Sequence, residues 1–153
     1  MSNQEVQHEI SEYVQDAPFG VLAYVRADGT PVQRTFGAFA FSGNDVLLIT
    51  GKSSAKVAEI ASRPKVSFFV EKKDQVITGW KSALYLGTAT PITNDGDLRQ
   101  AVEAISARSA YIRDVAAREG LKDFAFYRLR TQSIEWLNHA KGQGHLDTLV
   151  VEA

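Results

Sequence analysis

The sequence predicts an α+β fold, mainly β, with antiparallel strands closed into a barrel. Three observations carry this. β-rich segments follow one another across turns too short for anything but antiparallel pairing. Segments of helical period interrupt the strand order instead of alternating with every strand. The chain has 153 residues, 44% hydrophobic and 23% charged, with no cysteine, so one core of ordinary size can form without disulfides or a structural metal. Short-turned antiparallel strands tend to close on themselves because closure removes open edges.

Val6, Ile10, Tyr13, Val14 and Ala17 recur at helical spacing, which predicts an amphipathic helix over residues 3–16, ended by Pro18. Residues 19–26 are β-rich, Asp28-Gly29 is a tight-turn signal, and 31–41 (PVQRTFGAFAF) reads as the second strand of a hairpin. Ser42–Asp45 turns the chain into a third strand, Val46–Thr50. Residues 54–62 read as a short helix capped by Ser53 or Ser54 and stopped by Pro64. Val66–Glu71 is the fourth strand, and 76–90 holds one long strand or two, bent at Gly79. Asn94 caps a long helix with Leu98, Val102, Ile105, Ile112 and Ala116 on its buried stripe; Gly120 ends it, and a break at Ser109 would make it two. Strands at 124–130 and 133–138 follow, and 140–153 reads as an irregular tail. That makes seven or eight strands and about three helices. No linker, repeat or low-complexity tract appears, so residues 1–153 read as a single domain.

Charge and composition exclude several functions. The net charge is 17 − 18 = −1, without the basic excess of a nucleic-acid protein or an attraction to anionic membranes. The first ten residues are polar and acidic, and the longest apolar run, Phe19–Val25, is too short to span a bilayer. A cytoplasmic location is expected. The lack of cysteine excludes a thiolate metal site and a cysteine nucleophile. His8, His139 and His145 lack metal-ligand spacing, so no metal is expected. No serine lies in a nucleophile-elbow context. The side chains thus offer no acid–base or nucleophilic machinery of their own, and an enzyme built on them would borrow its chemistry from a cofactor. Trp80 and Trp136 receive no role.

One segment invites an anion. Thr50-Gly51-Lys52-Ser53 is not a P-loop, because Val46 stands where that motif needs its first glycine. Its physical content survives: a strand ends, a glycine follows, and a helix begins with Ser53 and Ser54, offering free N–H groups and hydroxyls. Lys52 and Lys56 lie at the positive end of that helix, which costs about 0.3–1 kcal/mol each. A bound phosphate would offset this; so would a Lys56–Glu59 pair. Arg34 shares a strand face with Val32, Phe36 and Ala38 and also needs an anion, either Glu71 on a neighbouring strand or the same phosphate as Lys56.

Residues 19–71 resemble the pyridoxamine 5′-phosphate oxidase-like, FMN-binding split-barrel family, through FGVLAYVRADGTPVQRTFGAFAF and VLLITGKSSAKVAEIASRPKVSFFVE. ALYLGTATPI at 83–92 and RLRTQSIEWL at 128–137 extend the likeness over nearly the whole chain. The resemblance implies a six-stranded split barrel that forms a homodimer with FMN at the interface. It implies that Arg34 and Lys56 hold the FMN phosphate, with Thr50 and the serines Ser53 and Ser54 as hydroxyl donors, while the backbone of Thr35, Phe36 and Gly37 runs along the flavin ring. The implied function is an FMN-dependent oxidoreductase passing hydride between a small-molecule substrate, NAD(P)H among the candidates, and an acceptor the sequence does not name. No catalytic side chain is needed for that.

Two departures argue against true pyridoxamine 5′-phosphate oxidase activity. Ala55 replaces the arginine that precedes the lysine in those oxidases, and no arginine follows Arg130, where they carry a substrate-binding terminal motif. A small flavin reductase or general-stress-type member is the closer expectation. The alternatives are a flavin-binding protein without turnover, serving as redox sensor or flavin store, and a deazaflavin F420- or haem-binding member of the same fold. Haem is disfavoured by the lack of cysteine and of a well-placed histidine.

Overall fold

The structure, a computed structural model, describes residues 2–151. Helix α1 (Asn3–Val14) starts at Ser2, whose hydroxyl accepts from the Glu5 N–H, and buries Val6, Ile10 and Val14. Strands β1 (Gly20–Val25) and β2 (Pro31–Phe36) form the hairpin; Asp28 accepts from the Thr30 N–H, and Gly29 takes φ 88° to close the turn. β3 (Phe39–Ser42) and β4 (Asp45–Gly51) follow, then α2 (Ala55–Ser62), β5 (Lys65–Glu71), a 3₁₀ turn at Ile77–Gly79 and β6 (Lys81–Pro91). Helix α3 (Asp95–Arg108) is capped by Asn94, and α4 (Ala110–Arg118) by Ser109, which breaks the long helix in two. β7 (Phe124–Asn138), a 3₁₀ turn and β8 (Leu146–Val150) complete the described chain.

All strand pairs are antiparallel, in the order β2-β1-β5-β6-β7-β4-β3, with β8 also on β7. The sheet curls into a half-barrel. Three expectations about its strands are corrected. Residues 31–41 are not one strand: the chain bends at Gly37-Ala38, so β2 stays on β1 while β3 crosses to β4. Ala38 therefore leaves the strand face of Val32 and Arg34. Residues 124–138 are one strand, not two, and the tail supplies β8. Among the described residues there are thus eight strands and four helices, in place of the six strands implied by resemblance.

β7 is the spine. One edge pairs with β6 from Tyr127 to Asn138; the other takes β4 along Phe124–Leu129 and then β8 along Ser133–Leu137. Between those two partners the register with β6 slips: Leu86 faces Ser133 but Gly87 faces Thr131, leaving Gln132 as the bulged residue. The backbone groups freed there are accounted for. The Thr131 N–H donates to Asp45 Oδ1 at 3.0 Å, and the Val151 N–H donates to Gln132 O at 2.9 Å. Arg128 pairs with the other Asp45 oxygen at 3.1 Å.

The core has two parts. Inside the half-barrel Leu22, Phe68, Tyr85, Leu129, Ile134 and Trp136 pack beneath the apolar stripe of α1. Trp136 belongs to this core, edge-on to Tyr13 at 5.2 Å, and Trp80 donates to Glu71 at 3.0 Å. On the other face of β3 and β4, Ala40, Leu47 and Ile49 pack with Ala101, Ile105, Ile112 and Phe126. β4 is covered on both faces, which is why VLLI runs without polar alternation.

Candidate functional site

β4 ends at Gly51, and the turn after it is tied to the start of β7 by the Lys52 N–H on Asp123 O, 2.9 Å. Ser54 caps α2 in an extended conformation; its Oγ accepts from the Lys56 backbone N–H and, at 2.9 Å, from Lys56 Nζ. The lysine thus folds back over the helix start instead of trailing along the helix. Its ammonium lies 5.8 Å from the centroid of the Phe36 ring. Burial, and secondarily the Arg34 guanidinium, lower the Lys56 pKa from its ordinary value. Two cations from β2 and α2 therefore stand within electrostatic reach of each other.

Arg34 sits opposite Leu22 on the face of Val32 and Phe36, exposed, with Nη1 donating to Gln33 O at 2.7 Å. Among the described residues it makes no ion pair. The two acids that could have neutralised the cations are engaged elsewhere. Glu71 accepts from Trp80, and Glu59 pairs with Arg63, whose Nε also holds Val25 O. Neither carboxylate alternative raised by the sequence is formed.

Beside Lys56 runs a groove of about 310 Å³. One wall is Thr35–Ala38, where β2 leaves the sheet; the opposite wall is Ile49 and Thr50 of β4 with Tyr111 and Ile112 of α4. β2 is terminal in the sheet order, so one edge of its backbone is outside the ladder and offers hydrogen-bonding groups. Of the residues singled out in the sequence, Thr35, Phe36, Gly37, Thr50 and Lys56 line this groove. Ser54 stands behind Lys56, and Arg34 flanks it. Ser53 lies in the exposed turn and is not part of the lining. Sequence reading missed Tyr111, a phenol 66% exposed at the groove. Its only local signal was an aromatic residue beside the capping Ser109. The three histidines are elsewhere: His8 pairs with Glu12 on α1, His145 with Asp147 on β8, and His139 opens the second 3₁₀ turn.

Residues 6–138 match the family model described as pyridoxamine 5′-phosphate oxidase. The chain belongs to this family. No curated protein sequence matches it. Among solved structures, a haem-binding protein from Mycobacterium smegmatis is similar at a TM-score of 0.76 and 19% identity, covering 98% of this chain and 58% of its own. The chain thus spans little more than half of that relative. General Stress Protein 26 from Bacillus anthracis is similar at 0.71 and 17% identity, covering 96% of this chain and 99% of its own. The haem storage protein HutZ from Vibrio cholerae is similar at 0.66 and 21% identity, covering 81% of this chain and 88% of its own. At these identities the likeness carries the split-barrel fold. Two of these three neighbours are named for haem. No helix among the described residues is long and apolar enough to cross a membrane.

Proposed function

We propose that this family member is an FMN-dependent oxidoreductase working as a homodimer, with the FMN phosphate held by Arg34 and Lys56. The observation that carries the reading is the pair of neighbouring cations with no carboxylate paired to either among the described residues, one of them hydrogen-bonded to the capping Ser54 at a helix start. Such a pair fits a phosphomonoester dianion. Thr50 and Ser54 would add hydroxyl donors, and the open backbone edge at Thr35–Gly37 would meet the polar rim of a flat ring. Phe36 and Ile49 supply apolar walls that exclude water from one side of the groove. Bound FMN would supply hydride acceptance, which no side chain in the groove offers.

The test is a titration with FMN and riboflavin, which differ by the phosphate. FMN is expected to bind at least about tenfold tighter, since a charge-assisted hydrogen bond contributes about 1.5–3 kcal/mol. Equal affinities would end the phosphate assignment. Multiple turnovers of NADH or NADPH with FMN bound distinguish an oxidoreductase from a flavin store or redox sensor.

The dimer rests on the groove itself. At about 310 Å³ it is at the lower limit for a cofactor site, and Tyr111 stands exposed at its side, so a second copy is expected to complete it. Light scattering should give twice the chain mass; a monomer with FMN bound would contradict the arrangement.

A second reading is haem. Tyr111 is the specific observation for it, being a phenol in the groove and tyrosine a known axial ligand. The absorption spectrum of the purified protein separates a flavin band from a Soret band. A Soret band lost in Tyr111→Phe would favour haem.

A further inference from the structure

A second cleft, of about 630 Å³ against 310 Å³ for the groove, opens between α1, the β3–β4 turn and α3. The two share no lining residue, and the cleft is independent of the flavin reading. Its floor is aromatic: the rings of Phe41 and Tyr85 lie 5.5 Å apart, tilted by 33°. Above Phe41, at 5.5 Å from its centroid, sits the guanidinium of Arg108. The apolar wall is Ile10 and Val14 of α1 with Ala104 of α3. At the rim Gln7 Nε2 donates to Asn44 Oδ1 at 3.3 Å, linking α1 to the β3–β4 turn.

Two polar groups here have donors to spare. Arg108 donates to the carbonyls of Phe39 at 3.0 Å, Ala17 at 2.6 Å and Gln15. Carbonyls carry no net charge, and a guanidinium has five N–H groups, so about two remain. Among the described residues Arg108 has no carboxylate partner. Nearby Asp16 is paired with Lys72 at 2.5 Å, and no acidic side chain lines the cleft. His8, which does line it, is paired with Glu12 at 3.2 Å. The second group is the hydroxyl of Tyr85. The residue is 2% exposed; its hydroxyl opens on the cleft and has no protein hydrogen-bond partner among the described residues. Burial also pushes the Tyr85 pKa up, so the phenol remains a donor at physiological pH.

We infer that this cleft binds a small aromatic carboxylate, its ring against Phe41 and Tyr85 and its carboxylate on the remaining Arg108 N–H groups and the Tyr85 hydroxyl. The anion would complete both groups, and the aromatic floor selects a flat ring. The Gln7–Asn44 hydrogen bond lies at the exposed rim of the cleft.

The probe is 4-hydroxybenzoate, titrated into the full chain by calorimetry, with 4-hydroxybenzamide as its neutral counterpart. Saturable one-to-one binding is expected, at least about tenfold tighter for the carboxylate. Tyr85→Phe keeps the ring and removes only the donor; it should weaken the carboxylate about tenfold while leaving FMN binding and the melting temperature unchanged. Ala104→Leu should block the cleft without touching either polar group. No saturable binding, equal affinity for carboxylate and amide, or unchanged affinity in Tyr85→Phe would each overturn the inference.

Discussion

Lys56→Ala is expected to weaken FMN binding about tenfold to a hundredfold, the loss of a charge-assisted hydrogen bond of about 1.5–3 kcal/mol. The same substitution should leave the flavin-free protein as stable or slightly more so. In that state the ammonium is half-buried, faces the Arg34 charge and opposes the α2 dipole, and among the described residues its hydrogen-bond partner is the Ser54 hydroxyl. Its folded pKa is lowered below the ordinary 10.5, so the charged form is disfavoured by folding at neutral pH. Between the folded pKa and 10.5 the unfolded chain binds more protons, and stability should rise with pH there. That rise should vanish in Lys56→Ala. Melting temperature and FMN affinity measured on one variant separate this from an ordinary surface lysine, which would leave affinity unchanged. An unaltered dissociation constant would remove Lys56 from the site and with it half of the cation pair.

Gly87→Ala should cost about 3 kcal/mol, the upper end for overpacking, and lower the melting temperature by about 10 °C. A Cβ on Gly87 would lie 2.1 Å from Arg130 O and 2.8 Å from Arg130 C. Both are backbone atoms of β7 beside the bulge, so relief requires prying β6 from its longest partner. Gly79→Ala is the control, because its Cβ would meet only Val76 Cγ2 at 3.9 Å. Equal melting temperatures for the two variants would mean that the β6–β7 contact yields easily.

Features decided by local chemistry were legible in the sequence. Asn94, Ser54 and Gly29 announce caps and a turn through their own hydrogen bonds or φ. What failed was decided by distant partners. PVQRTFGAFAF has no interruption in its β character, and the break at Gly37-Ala38 exists because β2 and β3 belong to opposite ends of the sheet. Arg130–Ser133 is polar enough to read as a turn, but Asp45 and the end of the chain satisfy the bulge, so the strand continues. The site divides in the same way. Arg34 and Lys56 stand out as cations in apolar or dipole-opposed positions, whereas Tyr111 and Phe124 reach the groove only through α4 and the β4–β7 pairing.

The position of β7 also sets an order of events during synthesis. β4 waits for a partner more than seventy residues away, Ile49 for Phe126, and Asp45 for the Thr131 N–H. Until β7 emerges from the ribosome, β4 can pair only with β3, and its other edge, VLLIT, is bare. Such late, non-local pairing slows folding and leaves a sticky edge to intermolecular capture. The nascent chain is therefore most vulnerable between the completion of β4 and the arrival of β7. A ribosome stalled in α3 or α4 would present that edge to chaperones or to aggregation.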